Sequence, residues 1–132
     1  MPFSYPDFKN EIREHFLSSF DSNLRILDVG PGAGTYGRML RPPFTVDAVE
    51  IFVPYVEQFG LRSIYRQVYT EDIRNFNVSN YDYLIMGDVL EHLSQDDALK
   101  LIERIKNKKF LIAVPYMYAQ GESFNNIHET HL

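Results

Sequence analysis

The stretch Gly30-Pro31-Gly32-Ala33-Gly34 constrains this chain more than any other. Three glycines in five residues follow directly on Arg25 to Val29, an apolar run short enough to be a buried strand. Glycine carries no Cβ, so such a segment turns sharply and lets another group approach its backbone. The residues after it read as a short helix ending near Leu40, and Arg41-Pro42-Pro43 stops that helix. A turn needed only for packing is the plainer account of the same residues. Three glycines so close together favour a turn that also receives a ligand.

The rest of the chain repeats this alternation. Phe8, Ile12, Phe16 and Phe20 recur every four residues, which places them on one face of an opening helix that Asp21-Ser22-Asn23 breaks. Phe44 to Glu50 is a second strand, and Pro54 suits the first turn of a short helix closed by Gly60. Ile64 to Tyr69 is a third strand and Tyr81 to Met86 a fourth. Ser94 followed by Asp97 predicts a helix N-cap, and Ala98, Leu101, Ile102 and Ile105 form one apolar stripe behind it. Lys106-Asn107-Lys108-Lys109 closes that helix, where cations suit its dipole. Phe110 to Val114 is a fifth strand, stopped by Pro115. Strands and helices spaced in this way predict βαβ units, a parallel sheet with helices on both faces, and right-handed crossovers. The class is α/β.

Composition removes several functions. A length of 132 residues is one domain's worth, and 45% hydrophobic with 23% charged residues is ordinary for a globular fold. Net charge is -5 and the basic residues gather on no one element, so no nucleic-acid partner is expected. Cysteine is absent, which excludes disulfides, thiolate catalysis and cysteine-based metal sites. No apolar run approaches membrane-spanning length, and Met1-Pro2-Phe3-Ser4-Tyr5 is unlike a secretory leader. No membrane partner is expected, and the expected location is the cytoplasm.

In a parallel sheet, ligands bind beyond the carboxyl ends of the strands, which is where the glycines lie. Gly32-Ala33-Gly34-Thr35-Tyr36-Gly37 formally matches G-x-G-x-x-G, and Glu50 ends the next strand as a ribose-binding acid should. A dinucleotide is therefore one reading, although Gly30 already starts the turn. Charge argues against it. Asp28 precedes the first glycine by two residues, where a carboxylate repels a pyrophosphate and favours a cation such as an α-ammonium group. Glu50, Asp72 and Asp88 follow strands two, three and four, so four acids converge on one edge of the sheet. A ligand with an ammonium, a sulfonium, a ribose diol and an adenine amine fits such an edge. S-adenosylmethionine has all four.

Over residues 24–116 the sequence resembles the class I, Rossmann-like S-adenosylmethionine-dependent methyltransferases, especially the branch acting on small molecules. Ile26-Leu27-Asp28-Val29-Gly30-Pro31-Gly32-Ala33-Gly34 resembles the family's first motif, which cradles the methionine end of the cofactor. Tyr83-Leu84-Ile85-Met86-Gly87-Asp88-Val89-Leu90-Glu91-His92-Leu93 resembles its fourth. The resemblance implies that Glu50 takes both ribose hydroxyls and that Asp72 accepts from the adenine amine, with the Ile73 amide on a ring nitrogen. It assigns Pro31, Tyr36, Ile51, Asp88 and Val89 to the cofactor as well. It also implies a three-layer α/β/α fold with strand order 3-2-1-4-5. Each acid keeps a structural alternative: Asp28 capping its turn, Glu50 a solvated strand end, Asp72 capping a short turn, and Asp88 capping the helix that begins near Leu90.

Methyl transfer from a sulfonium is an in-line displacement, in which the protein mainly aligns the donor and acceptor and excludes water. A base is needed only when the acceptor must lose a proton. His92, His128 and His131 are candidates, with Tyr116 and Tyr118 as substrate-positioning groups; for His92 a structural hydrogen bond is the plainer role. Gly87-Asp88-Val89-Leu90 stands where methyltransferases of base amino groups often carry Asn/Asp-Pro-Pro-Tyr/Phe. The expected acceptor is therefore a small molecule methylated on oxygen or carbon. The family sheet has seven strands, whereas this chain supplies about five. Strand five would be a bare apolar edge, which a truncated chain, a natural fragment or a homodimer through that edge would each explain. Residues 1–132 are read as a single domain. A non-catalytic cofactor-binding or scaffolding module is the alternative, and an NAD-linked oxidoreductase a more distant one.

Overall fold

The computed structural model describes residues 9–87, 89 and 92–112. β1 (Ile26–Val29) lies at the centre of the sheet, and all four of its residues are buried. A strand covered on both faces has no reason to alternate polar and apolar residues, which is why this segment reads as a continuous apolar run around Asp28. β2 (Val46–Val49) and β4 (Tyr83–Met86) flank it and are buried throughout. β3 (Val68–Tyr69) and β5 (Lys109–Ile112) lie outermost, giving the order β3-β2-β1-β4-β5 with parallel pairing throughout. Class and order are those expected. The chain runs outward through β1, β2 and β3, then returns to β4 on the other side of β1. That reversal opens a crevice at the carboxyl ends of β1 and β4.

Successive side chains of the strands feed two cores. Ile26, Ala48 and Ile85 face α1 (Lys9–Ser19), α2 (Thr35–Leu40) and α3 (Val53–Gln58). Leu27, Val49, Leu84 and Met86 face α4 (Gln95–Ile105). Phe16 anchors α1, with its ring centroid 4.6 Å from Tyr83, 5.6 Å from Phe20 and 5.8 Å from Phe44. Phe8, the first member of the predicted stripe, lies outside the described residues. α4 forms as expected. The Ser94 hydroxyl accepts from the Asp97 amide at 3.1 Å, and Ala98, Leu101 and Ile105 are buried behind it.

Two features depart from the sequence reading. The third strand is shorter than Ile64 to Tyr69, because a 3-10 turn at Leu61–Ser63 carries Tyr65 into the core instead of along the sheet edge. And among the described residues no helix joins β3 to β4. The chain there covers its face of the sheet with Ile73, Phe76, Val78 and Tyr81. One α4 side chain holds it down: Arg104 donates to the carbonyls of Ile73 (2.9 Å), Arg74 (3.2 Å) and Phe76.

Other arginines act in the same way. Arg13, Arg25, Arg38, Arg41 and Arg62 each donate to backbone carbonyls of a separate segment. A guanidinium aimed at a carbonyl satisfies an acceptor that the fold would otherwise leave bare.

Removing the α4 cap gives a direct test of the local reading. Ser94→Ala is expected to lower stability by about 1 kcal/mol. Urea unfolding checks this, with the midpoint falling while the slope stays unchanged.

Candidate functional site

The glycine loop is held open by its neighbours. Gly30, Gly32 and Gly34 have φ of 64°, 55° and 85°, in the left-handed region where a side chain strains the backbone. A Cβ on Gly30 would also lie 2.6 Å from Val89 Cγ2, while the Gly30 amide donates to the Val49 carbonyl at 2.9 Å. Gly37 is required for a different reason. A Cβ there would lie 2.4 Å from the Tyr65 ring, whose hydroxyl accepts from the Gly37 amide at 3.2 Å. The last glycine of the formal G-x-G-x-x-G match therefore makes room for a tyrosine.

Beyond the strand ends lies a cleft of about 610 Å³, a size suited to a small ligand or cofactor. Of the predicted residues, Gly30, Gly32, Glu50, Ile51, Asp72, Ile73 and Val89 line it, and so does His92. Pro31, Gly34 and Tyr36 do not; Tyr36 is buried in the core beside α2. Asp28 is not in the lining either. Asp88, Tyr116, Tyr118, His128 and His131 lie outside the described residues. The sequence reading missed Tyr55, Arg74 and Asp97, which share the lining. Asp97 was visible only as a capping residue, and nothing in the sequence set Arg74 apart.

Glu50 is 5% exposed, yet it faces the cleft. Its Oε2 accepts from the Phe52 amide at 2.9 Å and its Oε1 from the Gly32 amide at 3.4 Å. One carboxylate thus joins the glycine loop to the start of α3. Burial raises its pKa, and the two backbone donors oppose that rise. A carboxylate has about four acceptor positions, so two partners leave room for a diol.

Asp28 is placed differently from the expectation. It is 1% exposed, and its Oδ2 accepts from the Tyr65 hydroxyl at 2.6 Å while its Oδ1 is buried with no hydrogen-bond partner. Burial pushes its pKa up to about 7; the Tyr65 hydrogen bond opposes this and the nearby Glu50 charge adds to it. Asp72 is engaged too. Arg74 grips its carboxylate with Nε at 2.9 Å and Nη2 at 2.5 Å, and this holds Asp72 below the usual carboxylate range. The Arg74 amide also donates to Asp72 Oδ1 at 2.9 Å, the short turn foreseen as the alternative role of this residue. One expected acid is thus buried away from the lining with a raised pKa and another is paired with an arginine, while Glu71 and Asp97 add carboxylates to the lining.

No family model matches the chain, and no curated protein matches it in sequence. Solved structures match it in fold. One is an amino pentose methyltransferase from Micromonospora echinaspora with S-adenosylmethionine bound, at 16% identity and a TM-score of 0.67, covering 86% of this chain and 52% of that one. A second is an S-adenosylmethionine-dependent methyltransferase from Clostridium acetobutylicum, at 20% identity and a TM-score of 0.67, covering 92% of this chain and 55% of that one. A third is the N-methyltransferase NodS from Bradyrhizobium japonicum in complex with S-adenosyl-L-homocysteine, at 18% identity and a TM-score of 0.59, covering 78% of this chain and 57% of that one. The chain thus has the Rossmann-like methyltransferase fold and spans about half the length of these structures.

The buried acid predicts a pH dependence. Folded Asp28 keeps its proton to about pH 7, whereas its ordinary value is 3.8. Between those values the folded state binds more protons than the unfolded one, so stability falls as pH rises from about 4 to about 7 and then levels off. Glu50 adds in the same direction. Urea midpoints across this range are expected to flatten in Asp28→Asn, and an unaltered slope would contradict the assignment.

Proposed function

We propose that this chain is the cofactor-binding core of an S-adenosylmethionine-dependent methyltransferase acting on a small molecule. The observation that carries the reading is Glu50: a buried carboxylate, facing the cleft at the end of β2, with acceptor capacity left over and the glycine loop tied to it. The residues fit the cofactor. The open glycine backbone receives its methionine end, Glu50 accepts from the ribose hydroxyls, and Ile51 and Ile73 supply apolar walls for the base. The cofactor, when bound, supplies an electrophilic methyl group on a sulfonium. The chain's own task is to fix the donor against the acceptor and to keep water out. Among the described residues His92 is the candidate proton acceptor, because it is a cleft-lining imidazole.

An amino pentose methyltransferase among the matching structures supports a small-molecule acceptor. The sequence favours oxygen or carbon as the acceptor atom, while NodS shows the same fold serving an N-methyltransferase. The fold itself therefore states no preference. Arginines committed to carbonyls speak against a nucleic-acid acceptor. A cytoplasmic location belongs to the same reading, and no helix among the described residues is long and apolar enough to cross a membrane. So does pairing of two copies through β5, where Phe110 is 37% exposed.

Calorimetric titration tests the proposal. S-adenosylmethionine and S-adenosylhomocysteine are both expected to bind, with NAD failing to compete. Glu50→Gln is expected to weaken both by about 10- to 100-fold while the protein stays folded. A folded wild-type chain that gives no heat with either ligand would refute the reading.

A further inference from the structure

The glycine loop is backed by a single segment, Leu61 to Tyr65. The Tyr65 hydroxyl donates to Asp28 Oδ2 at 2.6 Å and accepts from the Gly37 amide at 3.2 Å. One oxygen thus meets β1 just before the loop and α2 just after it. Between these two points, a Cβ on Gly34 would lie 2.8 Å from Ile64 Cδ1 and 3.4 Å from Leu61 Cδ2. Gly30 and Gly32, which line the cleft, sit inside the stretch that the phenol closes. Tyr65 itself is buried and does not line the cleft.

The hydroxyl is not what holds its own segment in place. Arg41 donates to the Ser63 and Ile64 carbonyls at 2.6 and 3.1 Å, and Arg38 to the Phe59 carbonyl at 3.2 Å. The Tyr65 ring packs in the core, where phenylalanine would fill the same space. Nor does the pair strengthen that core. Asp28 is a buried carboxylate with one oxygen unpartnered, which lowers stability relative to an apolar pair of the same shape. What the hydroxyl adds is a fixed span between Asp28 and Gly37.

We propose that Tyr65 is a positioning residue: by bridging Asp28 and Gly37, its hydroxyl holds the glycine loop in the shape that receives the methionine end of the cofactor. Three glycines with positive φ make the loop easy to deform, and a pre-shaped site loses less conformational freedom on binding. The inference rests on the S-adenosylmethionine reading and deepens it at one end of the cleft.

The test compares two ligands on each variant. S-adenosylhomocysteine carries the amino acid end, whereas 5′-methylthioadenosine keeps the ribose and the base and lacks that end. The ratio of their dissociation constants therefore reads the methionine end, and a smaller folded fraction scales both constants equally. In Tyr65→Phe the constant for S-adenosylhomocysteine is expected to rise about tenfold, with that for 5′-methylthioadenosine unchanged within about twofold. Gly37→Ala reaches the same contact from the other side. Its Cβ would lie 2.4 Å from the Tyr65 ring and drives the hydroxyl away, while alanine favours the helix. The ratio is expected to move in the same direction. An unmoved ratio in the variants that fold overturns the inference and leaves the functional reading intact. Loss of the fold in both variants also overturns it, because the phenol then serves stability alone. Failure of either ligand to bind folded wild-type protein overturns both.

Discussion

The carboxylate of Glu50 is the contact on which the cleft depends. It accepts from Gly32 on one loop and Phe52 on the next, so two segments that follow neighbouring strands are tied through one side chain. Backbone amides in a glycine turn have few other ways to be satisfied, and a buried carboxylate without donors is costly. Each therefore stabilises the other. The same carboxylate lines the cleft, so one side chain both ties the two loops and faces the open space beside them.

Below it, a second carboxylate works without touching the cleft. Asp28 receives the Tyr65 hydroxyl, which in turn receives the Gly37 amide, so strand β1, helix α2 and the approach to β3 meet at one phenol. Close packing explains the rest: the tyrosine ring lies where any side chain on Gly37 would be. Several titratable groups line the cleft above it, among them Glu50, Glu71, Asp72, Arg74 and Asp97. Burial pushes the Asp28 pKa up to about 7, and Arg74 is shared between Asp72 and Asp97. Glu50 is the buried acid of the cleft lining, with Glu71, Asp72 and Asp97 more exposed around it.

Much of this was legible in the sequence because local chemistry and global fold agree. The apolar run before Gly30, the proline pair after Arg41 and the Ser94 cap each mark an element boundary within a residue or two of where it falls. The strand order followed from the family resemblance carried by the first and fourth motifs. The misplaced details share one cause, which is that they depend on partners distant in the chain. Tyr65 leaves the sheet edge because Asp28 and Gly37, 37 and 28 residues away, accommodate its hydroxyl and ring. Arg104 holds the covering segment between β3 and β4 by reaching carbonyls about 30 residues back in the chain, and spacing along the sequence does not register such contacts. The role of Arg74 was invisible for the opposite reason. Its partner is two residues away, but the sequence shows only an acid near a base, with no sign that they face a cleft.

The most direct test of the central claim is a crystal structure with S-adenosylhomocysteine bound. The account expects the ligand in the crevice beyond β1 and β2, with both ribose hydroxyls within hydrogen-bonding distance of the Glu50 carboxylate and the glycine loop unmoved. A ligand seated elsewhere, or a ribose turned away from Glu50, would contradict it.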